Sequence, residues 1–229
     1  MFLIQTTKLL IIIIIIMGCQ CTKSNLVHDK EIKTPSTRLP AVKQKSGNPL
    51  SSQKQKSIVA NYKERALFLI NQVRKDPSSF SDIIQSSIKN IKEDENNLFY
   101  EENNLKVKLF KGESAFLEAE EQLRMMEGLP PLEFKEEICI SLPSNKEQAQ
   151  NKEFIVEKAK EVNAKWKLDA YFIEKIKDPD ISILLMIVDD NGKNSGKKRA
   201  SIFNPRYKYI GINFTYVDNF FIAYYSFSS

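Results

Sequence analysis

Apolar positions along the chain fall into three regimes. Residues 9–18 (LLIIIIIIMG) form one unbroken apolar run, and residues 22–56 carry few large apolar side chains. From Ser57 onward apolar residues recur first at helical and then at strand spacing. Ser57 reads as the cap of a helix running to about Lys75, with Ile58, Tyr62, Ala66, Leu69, Ile70 and Val73 on one stripe. Asp76-Pro77 stops it, because the residue before a proline avoids helical geometry. A short turn is expected around 80–91, and the charged, Asn-rich stretch 92–112 reads as loop. Glu113–Glu127 has Phe116, Ala119, Leu123 and Met126 on one helical face, with Gly128 as its stop. Leu129-Pro130-Pro131-Leu132 reads as extended chain, and Lys146–Lys167 as one helix carrying Ala149, Ile155, Val156, Ala159, Val162 and Trp166. Asp178-Pro179 is an N-cap followed by proline at the first helical position, opening a compact apolar helix from Ile181 to Val188. The period then changes to two. Tyr207–Val217 and Phe220–Phe227 predict two strands joined by a turn at Asp218-Asn219. The class is α+β, with helices packed on an antiparallel sheet.

The first 21 residues read as an address. Lys8 precedes the apolar run, whose ten residues cover about half of a bilayer's hydrocarbon core as a helix. That suits a secretory signal peptide at residues 1–21, closed by the small residues Gly18 and Cys19. A short uncleaved anchor is one alternative. A lipobox is another, since Ile16-Met17-Gly18-Cys19 would make Cys19 the lipidated first residue. Cys139 stands alone in the remainder, so there is no internal disulfide framework.

Charge separates a linker from a domain. Residues 22–56 hold eight basic and two acidic side chains, net +6, whereas residues 57–229 hold 25 basic and 27 acidic, net −2. The excess of +5 in the whole chain therefore belongs to a solvated linker over 22–56. A basic nucleic-acid-binding face on the 57–229 domain is disfavoured, and the membrane is reached only through the N-terminal segment, if uncleaved or lipidated. The chain's one histidine, His28, lies in that linker. A domain without imidazole excludes Ser-His-Asp and Cys-His catalysis and histidine-ligated zinc or iron.

Four phrases, in order, carry a resemblance. ALFLINQVRKDPSSFSDII (Ala66–Ile84), GESAFLEAEEQLRMMEGLPPLEF (Gly112–Phe134), ISILLMIVDDNGKNSGKKRASIFNPRYKYIGINF (Ile181–Phe214) and FIAYYSF (Phe221–Phe227) resemble the SCP domain. That domain is shared by cysteine-rich secretory proteins, antigen 5 and pathogenesis-related proteins, the CAP superfamily. The third phrase is similar to the family's "liiDDG…RGHR…ifnP.fk.iGig" block. Phe134 stands where the family usually has Trp. The resemblance implies a three-layer α-β-α sandwich with a central antiparallel sheet, an extracellular setting, and a cleft where two His and two Glu hold a divalent metal in many members. Most of that set is missing. The first His should fall in Leu142–Gln148, which reads LPSNKEQ, and the second falls on Lys197 or Lys198 of GKKR. The family's "G-E-N-[IL]" phrase corresponds to Ile173-Glu174-Lys175-Ile176, leaving Glu174 as the retained carboxylate. An ammonium has no lone pair and repels a cation. The resemblance thus implies no metal and no cofactor, with Glu174 paired to Lys197 or Lys198 instead.

Other candidates have plainer readings. Asp189-Asp190-Asn191-Gly192 lacks the ligand alternation of a calcium loop and reads as a helix C-terminal turn with Gly192 at positive φ. Cys139, without a neighbouring base, reads as a small buried hydrophobe. Asn213-Phe214-Thr215 is the one N-glycosylation sequon, set inside a predicted strand. Phe214, Tyr216, Phe220, Phe221, Tyr224, Tyr225 and Phe227 fill either the core or an apolar groove. The expected function is non-catalytic: a secreted SCP-like domain binding an extracellular protein or a lipid- or sterol-like ligand. A membrane-attached surface lipoprotein or anchored protein is the alternative, and a hydrolase is opposed by the absent imidazoles.

Overall fold

The computed structural model of the chain describes residues 52–218 and 220–229, with side chains from residue 61 onward except Lys152. The signal segment, Cys19 and most of the basic linker lie outside the described residues. The chain is mixed helix and sheet, an α+β fold as the change of period predicts.

Helix α1 spans Ser52–Lys75, beginning five residues before the Ser57 cap read from sequence. Tyr62, Ala66, Leu69, Ile70 and Val73 are buried, so the predicted stripe is the packed face. After the 3-10 turn Ser78–Phe80, α2 spans Ser81–Ser87. Residues 92–112 are not loop. They form an antiparallel meander of β1 (Ile91–Asp94), β2 (Asn97–Glu102) and β3 (Leu105–Leu109). Its turns, Glu95-Asn96 and Asn103-Asn104, have positive φ at both central residues. That is the type I′ geometry which asparagine tolerates and which matches strand twist. Register puts Leu98 opposite Leu109 and Tyr100 opposite Val107, giving the meander one apolar face. Tyr100 carries it onto Phe116, with ring centroids 6.0 Å apart.

Helix α3 spans Glu113–Met125 and ends before Gly128. Gly128 serves another purpose: a Cβ there would meet the Lys75 carbonyl oxygen at 2.4 Å, while Leu129 N donates to Arg74 O at 2.7 Å. The extended chain then forms β4 (Glu133–Phe134). The helix predicted over 146–167 is two helices, α4 (Lys146–Gln150) and α5 (Lys152–Asn163). Asn151 separates them, its side-chain oxygen accepting from Glu153 N at 2.9 Å and Phe154 N at 3.4 Å. A new N-cap inside an apolar-periodic stretch restarts the helix rather than continuing it. Strand β5 (Leu168–Glu174) follows, unforeseen in sequence. Helix α6 (Pro179–Val188) starts as predicted, with the Asp178 carboxylate accepting from Asp180 N at 2.9 Å. Helix α7 (Lys197–Ile202) and strands β6 (Tyr209–Val217) and β7 (Phe220–Ser228) close the chain.

The second sheet has strand order β4-β6-β7-β5. It is antiparallel except for the two-residue parallel pairing of β4 with β6. Every described residue of β7 is buried. A strand covered on both faces needs no polar alternation, which is why FFIAYYSF reads as one apolar run. Ile210, Ile212, Phe214, Ala223, Tyr225 and Phe227 join the large apolar cluster with α1, α3 and α6. Phe172, Ile222 and Tyr224 join a smaller cluster with Ile140, Ala149, Ile155 and Ala159 from the α4–α5 side. Within the large cluster, Tyr62, Ser182 and Tyr225 hydroxyls form a triangle of 2.8 to 3.1 Å edges tying α1, α6 and β7 together. Burial pushes the Tyr62 phenol up to about 12.

Arg74, 1% exposed at the end of α1, donates to four backbone carbonyls and to no carboxylate among the described residues. Pro130 O lies at 2.9 Å, Asn204 O at 3.3 Å and Tyr207 O at 3.4 Å, with Ile202 O the closest. Desolvation lowers the guanidinium to about 10, so it stays charged at neutral pH. Replacing Arg74 by Leu strands these carbonyls and is expected to cost about 3 kcal/mol. Urea unfolding would read this as a lower midpoint at unchanged slope. Arg74→Lys is expected to fall between the two, because one ammonium cannot span carbonyls from both segments.

Candidate functional site

The turn after α6 organises the site. Asp189 ends the helix in the left-handed conformation (φ 46°), and its side chain is shut from solvent. Aspartate tolerates this region better than most residues. Its carboxylate then reaches forward: Oδ2 accepts from Lys198 N at 2.8 Å and Oδ1 meets Lys198 Nζ at 2.9 Å. Gly192 takes positive φ as expected (55°). Asp190 turns the other way and accepts from the backbone N–H groups of Phe110, Lys111 and Gly112 at 2.8 to 3.0 Å. The paired aspartates are thus tethers, one to α7 and one to the start of α3.

Arg199 fixes the same junction from within. It is 2% exposed and donates to Ile187 O at 2.7 Å and Val188 O at 2.9 Å, carbonyls left without partners at the end of α6. It also meets Gln122 Oε1 at 2.9 Å and Glu118 Oε1 at 3.1 Å. Lys111 first, and Arg199 with it, hold the Glu118 carboxyl below its ordinary range. Of the GKKR phrase, arginine is therefore a structural cap, and the two lysines stand at the surface above it.

Those lysines rim a slot at the free edge of β5. Its apolar walls are Ile140, Ile155, Ala159, Ala170, Phe172 and Tyr224, and its mouth carries Asp189, Asn191, Asn194, Lys197 and Lys198. Its cavity volume is about 40 Å³, so the slot is narrow. Lys197 Nζ is held by Asn194 Oδ1 at 2.8 Å, a neutral acceptor. The Tyr224 hydroxyl is buried without a hydrogen-bond partner among the described residues. Its proton is held tightly, first by burial and then by the charge of Glu174. Beneath the mouth, the Tyr171 hydroxyl meets Ser201 Oγ at 2.8 Å and Lys197 O at 3.2 Å, and Ser201 donates to Asp169 at 2.7 Å.

Lys197 and Lys198 are thus together at the mouth, and Glu174 lies on β5 close enough for its charge to bear on the Tyr224 phenol. Alternation along β5 puts Asp169 and Tyr171 toward α7, and Phe172 and Glu174 toward the opposite face of the sheet. Lys198 forms its ion pair with Asp189, a partner that sequence reasoning assigned to a turn. Tyr224 was legible only as one member of an aromatic group. Nothing in its spacing marks it as the hydroxyl left unpaired.

The remaining candidates are structural in their observed contacts. Asn213 Nδ2 donates to Ile140 O at 3.0 Å, so the sequon amide is engaged in holding the 138–140 segment against β6. Cys139 is half-buried, and burial pushes its thiol up to about 11. A second, open groove of about 650 Å³ runs past Tyr62, Arg65 and Phe68, where Arg65 is paired with Asp180 at 2.6 Å. Among the described residues no group of three or more His, Cys, Asp or Glu side chains is placed to hold a metal ion, and no helix is long and apolar enough to cross a membrane. Compared with family models, curated proteins and solved structures, the chain matches none.

Removing the Lys198 ammonium by Lys198→Met leaves Asp189 charged and enclosed, and is expected to cost about 3 kcal/mol. Adding Asp189→Asn should recover part of that loss, which a double-mutant cycle in urea would measure. The Cys139 thiol is raised from 9.0 to about 11, so burial favours its neutral form. The stability from this thiol is intact below pH 9.0 and lost as pH rises toward 11. Iodoacetamide at pH 8 should modify Cys139 in the folded protein far more slowly than in urea, as followed by peptide mass spectrometry.

Proposed function

We propose that residues 57–229 form a non-catalytic, ligand-binding domain of the SCP kind, exported behind the N-terminal segment and carrying a lipid-like ligand in the slot at the β5 edge. In this reading the two apolar clusters are the two seams of a three-layer α-β-α sandwich. One seam lies under α1, α3 and α6, and the other lies under α4 and α5. The resemblance supplies the family, and the replacement of both cleft imidazoles by other residues supplies the loss of metal chemistry.

One observation carries the reading: a narrow slot with apolar walls, floored by a strand edge and rimmed by lysines. Concave apolar sites with a few placed polar groups are the usual form of small-ligand pockets. The groups at the mouth also argue against hydrolysis. Asp189 is paired with Lys198, and Ser201 donates to the Asp169 carboxylate through a part-buried hydrogen bond with no imidazole to take its proton.

The test is binding of cis-parinaric acid to the delipidated full chain, read as enhanced fluorescence. One site of micromolar affinity is expected. Ala159→Trp, which fills the slot from α5, should abolish it while leaving the circular dichroism unchanged. Binding that survives Ala159→Trp, or no binding at all, would sink the proposal.

A further inference from the structure

Strand β3 is an edge of the meander, whose strand order is β1-β2-β3. The two-residue turn at Asn103-Asn104 makes Glu102 and Leu105 a hydrogen-bonded pair, so Val107 and Leu109 also bond toward β2. The backbone N–H and C=O groups of Lys106 and Lys108 then point away from β2, and no other backbone group bonds to them among the described residues. Such an edge is a template for a further strand. Lysines on an edge ordinarily blunt it, but these two differ. Lys106 is shared by Asp94 at 2.9 Å and Glu101 at 3.1 Å. Lys108 is exposed and has no ion pair among the described residues. Its row across the sheet reads Lys108, Phe99, Lys92, without a carboxylate. Two residues on, Phe110 is 50% exposed, and a Cβ at Gly192 would meet its ring at 3.4 Å. Phe110 N already donates to Asp190, so the open ladder ends at Lys108.

These features select the occupant. A second copy is opposed, because symmetric antiparallel pairing across Lys106 and Lys108 sets lysine against lysine. The chain's own linker, net +6, is opposed by the same charge. A carboxylate suits the position opposite Lys108, and an aromatic ring suits the one beside Phe110. Opposite Lys106 a neutral residue fits better, since two carboxylates already share that ammonium. We propose that β3 binds an extended segment of a partner protein as a fourth, antiparallel strand, with an aromatic residue beside Phe110 and, two residues later, a carboxylate opposite Lys108. None of Lys106, Lys108 and Phe110 lines the slot, so this surface stands independently of lipid binding.

The probe is an end-capped, rhodamine-labelled peptide, Thr-Phe-Thr-Glu-Val-Thr-Thr, titrated with the full chain and read by fluorescence anisotropy. Saturable binding with a Kd below about 1 mM is expected, since ordering a short strand offsets much of the gain from its ladder. Moving the glutamate to the position opposite Lys106, as Thr-Phe-Thr-Thr-Val-Glu-Thr, should weaken binding about fivefold. Lys108→Glu should weaken the first peptide about tenfold, because attraction becomes repulsion. N-methylation of the glutamate, whose N–H faces β3, should abolish binding. N-methylation of the valine, whose N–H faces away, should leave it nearly unchanged. Equal binding of the two glutamate positions, binding that survives N-methylation of the glutamate, or no saturation by about 1 mM would overturn the proposal. Self-association seen by light scattering and abolished by Lys108→Pro would overturn it too, by giving the edge to a second copy.

Discussion

Two buried guanidinium groups bracket α7, and the site depends on both. Arg199, within α7, takes the orphan carbonyls at the end of α6, and Arg74 takes Ile202 O at the last residue of α7 and Asn204 O and Tyr207 O beyond it. Each replaces water as the partner of backbone oxygens that no helix or strand satisfies. Arginine suits this task because its fork presents five donors in fixed directions, where lysine offers one compact centre. A short helix of six residues would not hold its own orientation. Clamped at both ends, it presents Lys197 and Lys198 at one place on the surface. The clamp reaches across the fold, since Arg74 belongs to α1 and Arg199 also meets Gln122 and Glu118 of α3.

The electrostatics of the slot follow from that clamp. The Asp189 carboxylate is enclosed at a left-handed turn, where the Lys198 ammonium pairs with it at 2.9 Å and the buried Arg199 guanidinium adds a second positive charge nearby. An enclosed ion pair contributes little net stability, since desolvation offsets most of the attraction, but it costs much to break. Its effect here is positional. It consumes one lysine of the two and leaves the other, half-exposed, beside a neutral amide. Adjacent residues of one type thus end with different roles, decided by a single turn upstream.

How much of this was legible in the sequence depends on how local each cause is. The start of α6 was legible from Asp178-Pro179, and the closing hairpin from its change of period, because caps and turns act within four residues. The meander was hidden although LKVKL alternates strictly: charged side chains fill its outer face, and the Asn-Asn turns read as loop composition. Strand β5 was missed because both of its faces are covered in part, blurring the alternation, and Trp166 before it falls in helical phase. Trp166 instead stacks on Lys135, which lies 4.2 Å from its ring centroid and 4.1 Å from that of Tyr209. The site was half legible. GKKR was readable as the cationic element, but its partner Asp189 and the unpaired Tyr224 are set by tertiary packing that no spacing encodes.

The two apolar clusters differ in size and in how completely their hydroxyls are paired. The large one gathers the buried apolar side chains of α1, α3 and α6, together with the hydroxyl triangle of Tyr62, Ser182 and Tyr225, all of whose members are paired. The small one holds the slot and the unpaired Tyr224. Phenylalanine at 224 would keep the ring's packing and remove an unmet donor worth about 1–3 kcal/mol. The neighbouring position makes the contrast plain, for Tyr225 points to the other face and finds two hydroxyl partners. Neighbouring tyrosines on opposite faces of one strand are therefore satisfied differently: among the described residues the Tyr225 hydroxyl is paired twice, while the Tyr224 hydroxyl is sealed from solvent without a partner.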